Sequence, residues 1–193
     1  MIVDFDDFHE GQHRLDLLVQ LRDANPLFRV TVFAVPAYCP AGFLDALPDW
    51  IEVAMHGWDH GGPACMDARE AEDWSYEQAV DVLLAAPARF VQGWKSPGWR
   101  ISDGTYEALA SLGWWVADHY ENDHRRPHGI RSHVITEAAA SGADPAHWHG
   151  HISDVCGNGI AETFPALLER VRAEESFEWI SESVVPFVAR VAA

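Results

Sequence analysis

Two short stretches of this 193-residue sequence carry residues whose types and spacing could do chemistry. Met1-Ile2-Val3-Asp4-Phe5-Asp6-Asp7 reads as a strand ending in two carboxylates, and Ile51-Glu52-Val53-Ala54-Met55-His56-Gly57-Trp58-Asp59-His60 as a strand ending in two histidines four residues apart. Two imidazoles and a carboxylate that meet at one end of a sheet form a facial metal site with open positions, which can activate water. A further carboxylate beside that site is a candidate general base. Neighbouring strand residues point to opposite faces unless the strand has already ended, so Asp6 and Asp7 suit two tasks, one on a metal and one on a proton. HxxxH alone is a common chance spacing. In this context it points to a metal-dependent hydrolase.

Such residues need a scaffold that brings strand ends together. Short apolar runs alternate with amphipathic ones along the whole chain. Further strands are predicted at 28–35, 51–55, 90–94, 114–118, 130–135, 146–152 and 177–180. Helices are predicted near 15–21, 41–47, 68–84, 103–112 with Ser102 as N-cap, 161–173 and 182–191. This alternation means a mainly parallel sheet with helical crossovers: an α/β chain forming one domain over residues 1–193. Seven or so units could close into a barrel, whose active residues would sit at the C-terminal strand ends. Asp6, Asp7, His56, Lys95, Asp118 and His149 all fall at or just after such ends.

Composition narrows the partners. Thirteen Lys and Arg against thirty Asp and Glu give a net charge of −17, which repels nucleic acid and anionic lipid. Cys39, Cys65 and Cys156 are odd in number and widely spaced, and read as reduced packing residues. No charged-then-apolar leader and no apolar run of about 18 residues is present, so a cytoplasmic protein is expected. His119, Glu121, Asp123, His124 and His128 crowd one polar stretch that reads as a solvated loop. Trp58, Trp94, Trp99 and Trp148 flank the motifs and read as core positions, with a sugar-stacking wall as the alternative.

Phe5-Asp6-Asp7 resembles the first motif of the polysaccharide deacetylase family (carbohydrate esterase family 4, the NodB-homology domain), and His56-Gly57-Trp58-Asp59-His60 resembles its second. The resemblance implies Asp6 as catalytic base, with Asp7, His56 and His60 as ligands of one divalent metal. Zinc is the default, and iron, cobalt, nickel and manganese also suit this donor set. Lys95-Ser96-Pro97-Gly98-Trp99-Arg100 resembles the third motif, although the family usually has arginine where Lys95 stands. Lysine supplies the charge without the planar fork, and Arg100 is the other candidate for that role. Trp114 to Asp118 resembles the fourth motif, which implies that Asp118 tunes the catalytic histidine. The last motif implies a general acid from His147-Trp148-His149-Gly150-His151, with His149 favoured and His151 second.

The resemblance spans Asp6 to His151 in the family's order and implies a distorted (β/α) barrel of about seven strands. The implied activity is hydrolysis of a carbon–nitrogen amide bond, as in N-deacetylation of a sugar or related small molecule. The alternatives are ring opening of a cyclic amide or ureide, and a non-catalytic metal-binding barrel that holds a ligand or partner. A small-molecule or glycan substrate follows from the first two.

Overall fold

The computed structural model describes residues 1–153 and 158–187. Cys156 and the end of the expected closing helix lie outside them. Eight strands form one sheet: β1 (Ile2–Phe8), β2 (Val30–Ala34), β3 (Ile51–His56), β4 (Gly93–Lys95), β5 (Trp115–His119), β6 (Arg131–Ile135), β7 (His147–His151) and β8 (Val185–Pro186). Their order is β7-β1-β2-β3-β4-β5-β6-β8, curled into a distorted half-barrel. All neighbours run parallel except β6 and β8. The helices are α1 (Leu15–Ala24), α2 (Ala41–Asp45), α3 (Tyr76–Leu84), α4 (Asp103–Leu112), α5 (Glu137–Ala140), α6 (Ile160–Ala173) and α7 (Ile180–Ser183).

Strand alternation sorts the buried residues into two layers. The larger layer joins Val3, Phe5, Val32, Val53, Met55 and Trp94 to helix residues such as Leu18, Leu21, Leu83, Leu109 and Leu167. The smaller cluster, including Phe33, Ala54, Trp115, Ala117, Ile135 and Ile180, fills the other face of the sheet. That second face also carries Asp4, Asp6, His56, Lys95, His133, His147 and His149, because their registers fall in step with it. The end of the curl is plugged by α7. Ile180 N–H donates to Thr31 Oγ1 at 3.0 Å, and the buried Glu52 carboxylate accepts from Thr31 Oγ1 at 2.9 Å and from the Ser181 hydroxyl.

Several elements differ from the sequence-based expectation, and α5 has no counterpart in it. The helix expected over 68–84 begins only at Tyr76, where Ser75 and Gln78 form a capping box. Residues 177–180 form no strand. Glu178 makes an isolated bridge to Ile2, and Ile180 starts α7. The expected closing helix stops at Ser183, since Val184-Val185-Pro186 is β-branched and the residue before proline favours extended backbone.

Gly93 is required by packing. A Cβ there would lie 2.0 Å from Trp115 Cζ2, and Trp115 is itself pinned edge-on to Phe33 with centroids 6.2 Å apart. Gly93→Ala is therefore expected to destabilise the chain by about 1–3 kcal/mol, measured by chemical denaturation. An unchanged midpoint would mean that Trp115 is free to move.

Candidate metal centre and active site

The two aspartates reach one pocket because β1 bulges. Phe5 pairs with Val32 and Phe8 with Ala34, so one extra residue is accommodated, and Asp7 takes a left-handed φ of 64°. The bulge turns Asp7 toward the same side as Asp6. His56 ends β3, and Gly57 (φ 63°) and His60 (φ 48°) turn the chain so that both imidazoles face Asp7. Asp7 Oδ1 lies 3.5 Å from His56 Nε2 and 3.5 Å from His60 Nε2. Non-glycine residues at positive φ cost energy, and their concentration here marks a built site.

These three residues fit a divalent metal. His56 Nδ1 lies 3.0 Å from the Lys95 carbonyl oxygen, which can only accept, so Nδ1 carries the proton and the Nε2 lone pair faces Asp7. Asp7 Oδ2 and His60 Nδ1 are buried without hydrogen-bond partners. Two lone pairs and an acceptor-only carboxylate, closely packed and under-satisfied, call for a cation. Burial alone would lower the His56 pKa, but the Asp6 and Asp7 charges outweigh it and raise the ring above 6.5. Burial, then the His56 charge, hold His60 below its ordinary value.

Glu70 holds the turn that presents His60. Its carboxylate accepts from the backbone N–H groups of Trp58 at 2.9 Å, Asp59 at 3.0 Å and His60 at 3.0 Å. Gly57 is needed beneath it, since a Cβ there would lie 2.1 Å from Glu70 Oε2. Nothing in the sequence singled out Glu70, because its segment was read as helix.

Asp6 stands on the other side of Asp7, and Lys95 grips it. Lys95 Nζ is 2.6 Å from each Asp6 oxygen, and the side chain is almost completely buried. Burial would raise the Asp6 pKa, yet the Lys95 ammonium, then His56 and His149, hold it at about 2. Arg100 points away and pairs with Glu72 at 2.8 Å on the surface, so Lys95 alone occupies the place beside Asp6. Asp6, His149 and His151 make a second trio of potential metal donors. The ammonium already lies against Asp6 there.

The three β7 histidines share a face, as alternation predicts, but their surroundings differ. His151 lines a cavity of about 290 Å³ together with Asp6, Asp7, His56, His60, Cys65, Met66, Ala68, Gly98 and Trp99. Its side chain is 23 % exposed, and its Nε2 lies 3.8 Å from Asp6 Oδ2. The His149 side chain is 3 % exposed and sits beneath Lys95 and Trp99. The residue favoured in sequence as the acid is thus sealed from the cavity, and the second candidate opens onto it.

Asp118 does not contact either histidine. Ala117, its neighbour, pairs with Lys95 and His133 on the site face, so Asp118 projects to the opposite side. There it accepts from Tyr106 Oη, from Asn122 Nδ2 at 2.7 Å and from the His119 N–H at 2.8 Å. Asn122 also donates to the Trp99 carbonyl at 2.9 Å, so Asp118 braces the loop behind that indole. The carboxylate on His149 is Asp4, fully buried and 2.8 Å from His149 Nδ1. Alternation could have exposed Asp4, a charge two residues before Asp6 in an apolar strand.

The remaining expectations resolve simply. Trp94 and Trp148 are core, Trp58 is half-buried, and Trp99 lines the cavity. His119 is buried against Trp99 and Tyr120, whereas Glu121 and His124 lie on the surface. Cys39 and Cys65 are buried. Among the described residues no helix is long and apolar enough to cross a membrane.

No family model and no curated protein matches the sequence. Solved structures do match. The chain superposes on the Xyl-CE4 domain of a multidomain xylanase from a Trinervitermes trinervoides hindgut metagenome with TM-score 0.60, 14% identity, and coverage of 98% of this chain and 93% of that one. For a family 4 acetyl xylan esterase from Clostridium thermocellum, solved with cobalt, the values are 0.62, 11%, 94% and 88%. For a family 4 pseudoenzyme from Bacillus anthracis they are 0.53, 13%, 94% and 63%.

Two measurements test the centre. Glu70→Ala is expected to weaken metal affinity by roughly 10–100-fold while the fold persists, read by competition with a chelating dye. Ligand binding requires a neutral His56, whose pKa is raised, so affinity should fall with about one proton as pH drops through a range above 6.5. Affinity independent of pH across that range would exclude His56 as a ligand. The likenesses to solved structures, at such identities, show the fold alone: the chain shares the fold of these family 4 carbohydrate esterase structures.

Proposed function

We propose that this chain is a metal-dependent hydrolase that removes acyl groups, with N-deacetylation of a sugar or related small molecule as its reaction. The observation that carries this reading is that Asp6 and His151 face each other in the cavity beside the Asp7–His56–His60 trio. A divalent ion held by that trio supplies Lewis-acid polarisation of the acyl carbonyl and acidifies water. The names of two structural neighbours, a xylanase domain and an acetyl xylan esterase, support a carbohydrate substrate.

The chain's own groups supply the rest. Asp6 stays ionised through the neutral range and is fixed by Lys95, so it accepts a proton from water at a defined place. His151, across the same opening, protonates the departing amine. Trp99 walls the cavity and covers the Lys95 ammonium at 4.2 Å, which keeps bulk water off the buried ion pair.

Acetate release from N-acetylated oligosaccharides by the zinc-loaded protein tests this. Asp6→Asn is expected to abolish release while about one equivalent of metal stays bound. His151→Ala should lower kcat by roughly 10²–10⁴-fold. No release from N-acetylated sugars, O-acetylated xylan or cyclic amides by fully metallated wild type would leave the non-catalytic barrel.

A further inference from the structure

Behind Asp6 lies a line of buried polar groups that the proposed reaction does not use. Asp4 Oδ1 is 2.6 Å from His147 Nε2, and Asp4 Oδ2 is 2.8 Å from His149 Nδ1. His147 Nδ1 is 3.2 Å from His133 Nε2, and His133 Nδ1 is 2.8 Å from Ser183 Oγ. On the other branch Lys95 Nζ, which holds Asp6, lies 3.3 Å from His149 Nδ1 and 3.4 Å from His149 Nε2. The line links β1, β7, β6, α7 and β4. Strands β6 and β7 are not paired in the sheet, so the His133–His147 contact bridges its seam.

Donor and acceptor capacities assign the protons. Asp4 lies fully buried between two imidazoles and 3.7 Å from the Lys95 ammonium. Burial would raise its pKa, but His149 and Lys95 outweigh that and keep it well below the ordinary range. An ionised carboxylate only accepts, so His147 Nε2 and His149 Nδ1 both carry hydrogens. In its neutral form His147 then accepts at Nδ1 from His133 Nε2–H, and His133 accepts at Nδ1 from the Ser183 hydroxyl. The Ile180 carbonyl, also 2.8 Å from Ser183 Oγ, is the competing acceptor at that far end. His149, with its Nδ1–H on Asp4, lays its ring against the Lys95 ammonium, which lies about equally far from both ring nitrogens. Lys95 has three N–H bonds, and two of them meet the oxygens of Asp6. Asp4 and the three imidazoles each find a partner in this arrangement.

We propose that Asp4 is a positioning residue: it locks His149 as the Nδ1–H tautomer, so that His149 fixes the Lys95 ammonium and Lys95 fixes Asp6. The His147–His133–Ser183 branch pins the other Asp4 oxygen across the seam. The kinetic part of this inference rests on Asp6 being the base; the tautomer part does not.

The test is a long-range proton–nitrogen correlation spectrum of the zinc-loaded, histidine-labelled full chain. His149 should appear as the Nδ1–H tautomer, and His147 and His133 as Nε2–H tautomers. His149 protonated at Nε2 would overturn the proposal. Asp4→Asn replaces one acceptor by a donor, so the tautomer of His147 or His149 must change. In that variant kcat should fall by roughly 10–100-fold, with KM and metal content retained. Unchanged tautomers with unchanged kcat would overturn the proposal. Should Asp4→Asn fail to fold, the wild-type spectrum still decides. Ser183→Ala, which removes the terminal donor, should then shift the His133 signals before those of His149. The spectrum is read whether or not the protein turns over substrate, so an inactive wild type overturns the proposed reaction and a wrong tautomer overturns this inference.

Discussion

The structure depends on one buried ammonium. Lys95 is sealed inside the sheet, where an unpaired charge would cost several kcal/mol, so it must be met by carboxylates. Asp6 grips it and Asp4 stands behind, two residues apart and therefore on one face of β1. This requirement fixes register on both sides. Asp4 pairs with His149, Asp6 with His151, and His56 with Lys95. A slip of one residue would drive both carboxylates into the helix-facing apolar layer and leave the ammonium alone. Removing one partner of such a buried pair typically costs about 3–5 kcal/mol. The polar interior thus selects one sheet alignment, and the same alignment assembles the pocket.

Much of this was legible because strands announce themselves by apolar runs and by what ends them. The double aspartate, the histidine pair and Lys95 each close such a run, and they meet in space. Ser102 capped its helix where expected, with its hydroxyl 3.0 Å from the Thr105 N–H. Other features needed three dimensions. The bulge at Asp7 leaves no local mark, so the sequence could not show that both aspartates share a pocket. Glu70 reaches its three N–H donors from a segment whose composition reads as helix. Asp118 was placed by motif order, whereas strand parity turns it away. His149 and His151 have the same parity, and only the depth of β7 in the barrel separates the sealed ring from the open one.

Geometric strain and charge are arranged in opposite senses at the two halves of the centre. On the ligand side, Asp7 and His60 hold left-handed backbones and leave buried atoms unsatisfied, an arrangement that a cation relieves. Around Asp6, Lys95 meets both carboxylate oxygens and supplies the positive charge covalently. The donors Asp6, His149 and His151 could otherwise gather a second ion. A tethered ammonium against Asp6 disfavours a cation at that second trio.

Lys95 is also where the two halves meet. Its ammonium orients Asp6, while its backbone carbonyl receives the His56 Nδ1–H and thereby sets which nitrogen faces the metal position. A three-residue strand between long neighbours carries both bonds, and Gly93, two residues earlier, makes room for Trp115 beside it. Any displacement of β4 therefore moves Asp6 and His56 together. Perturbations of Asp4 and of His56 are coupled through this residue and will not add as independent sites do. Lysine lacks the planar fork of arginine, and here two carboxylate oxygens take two of its protons while the His149 ring, held by Asp4, lies against the ammonium.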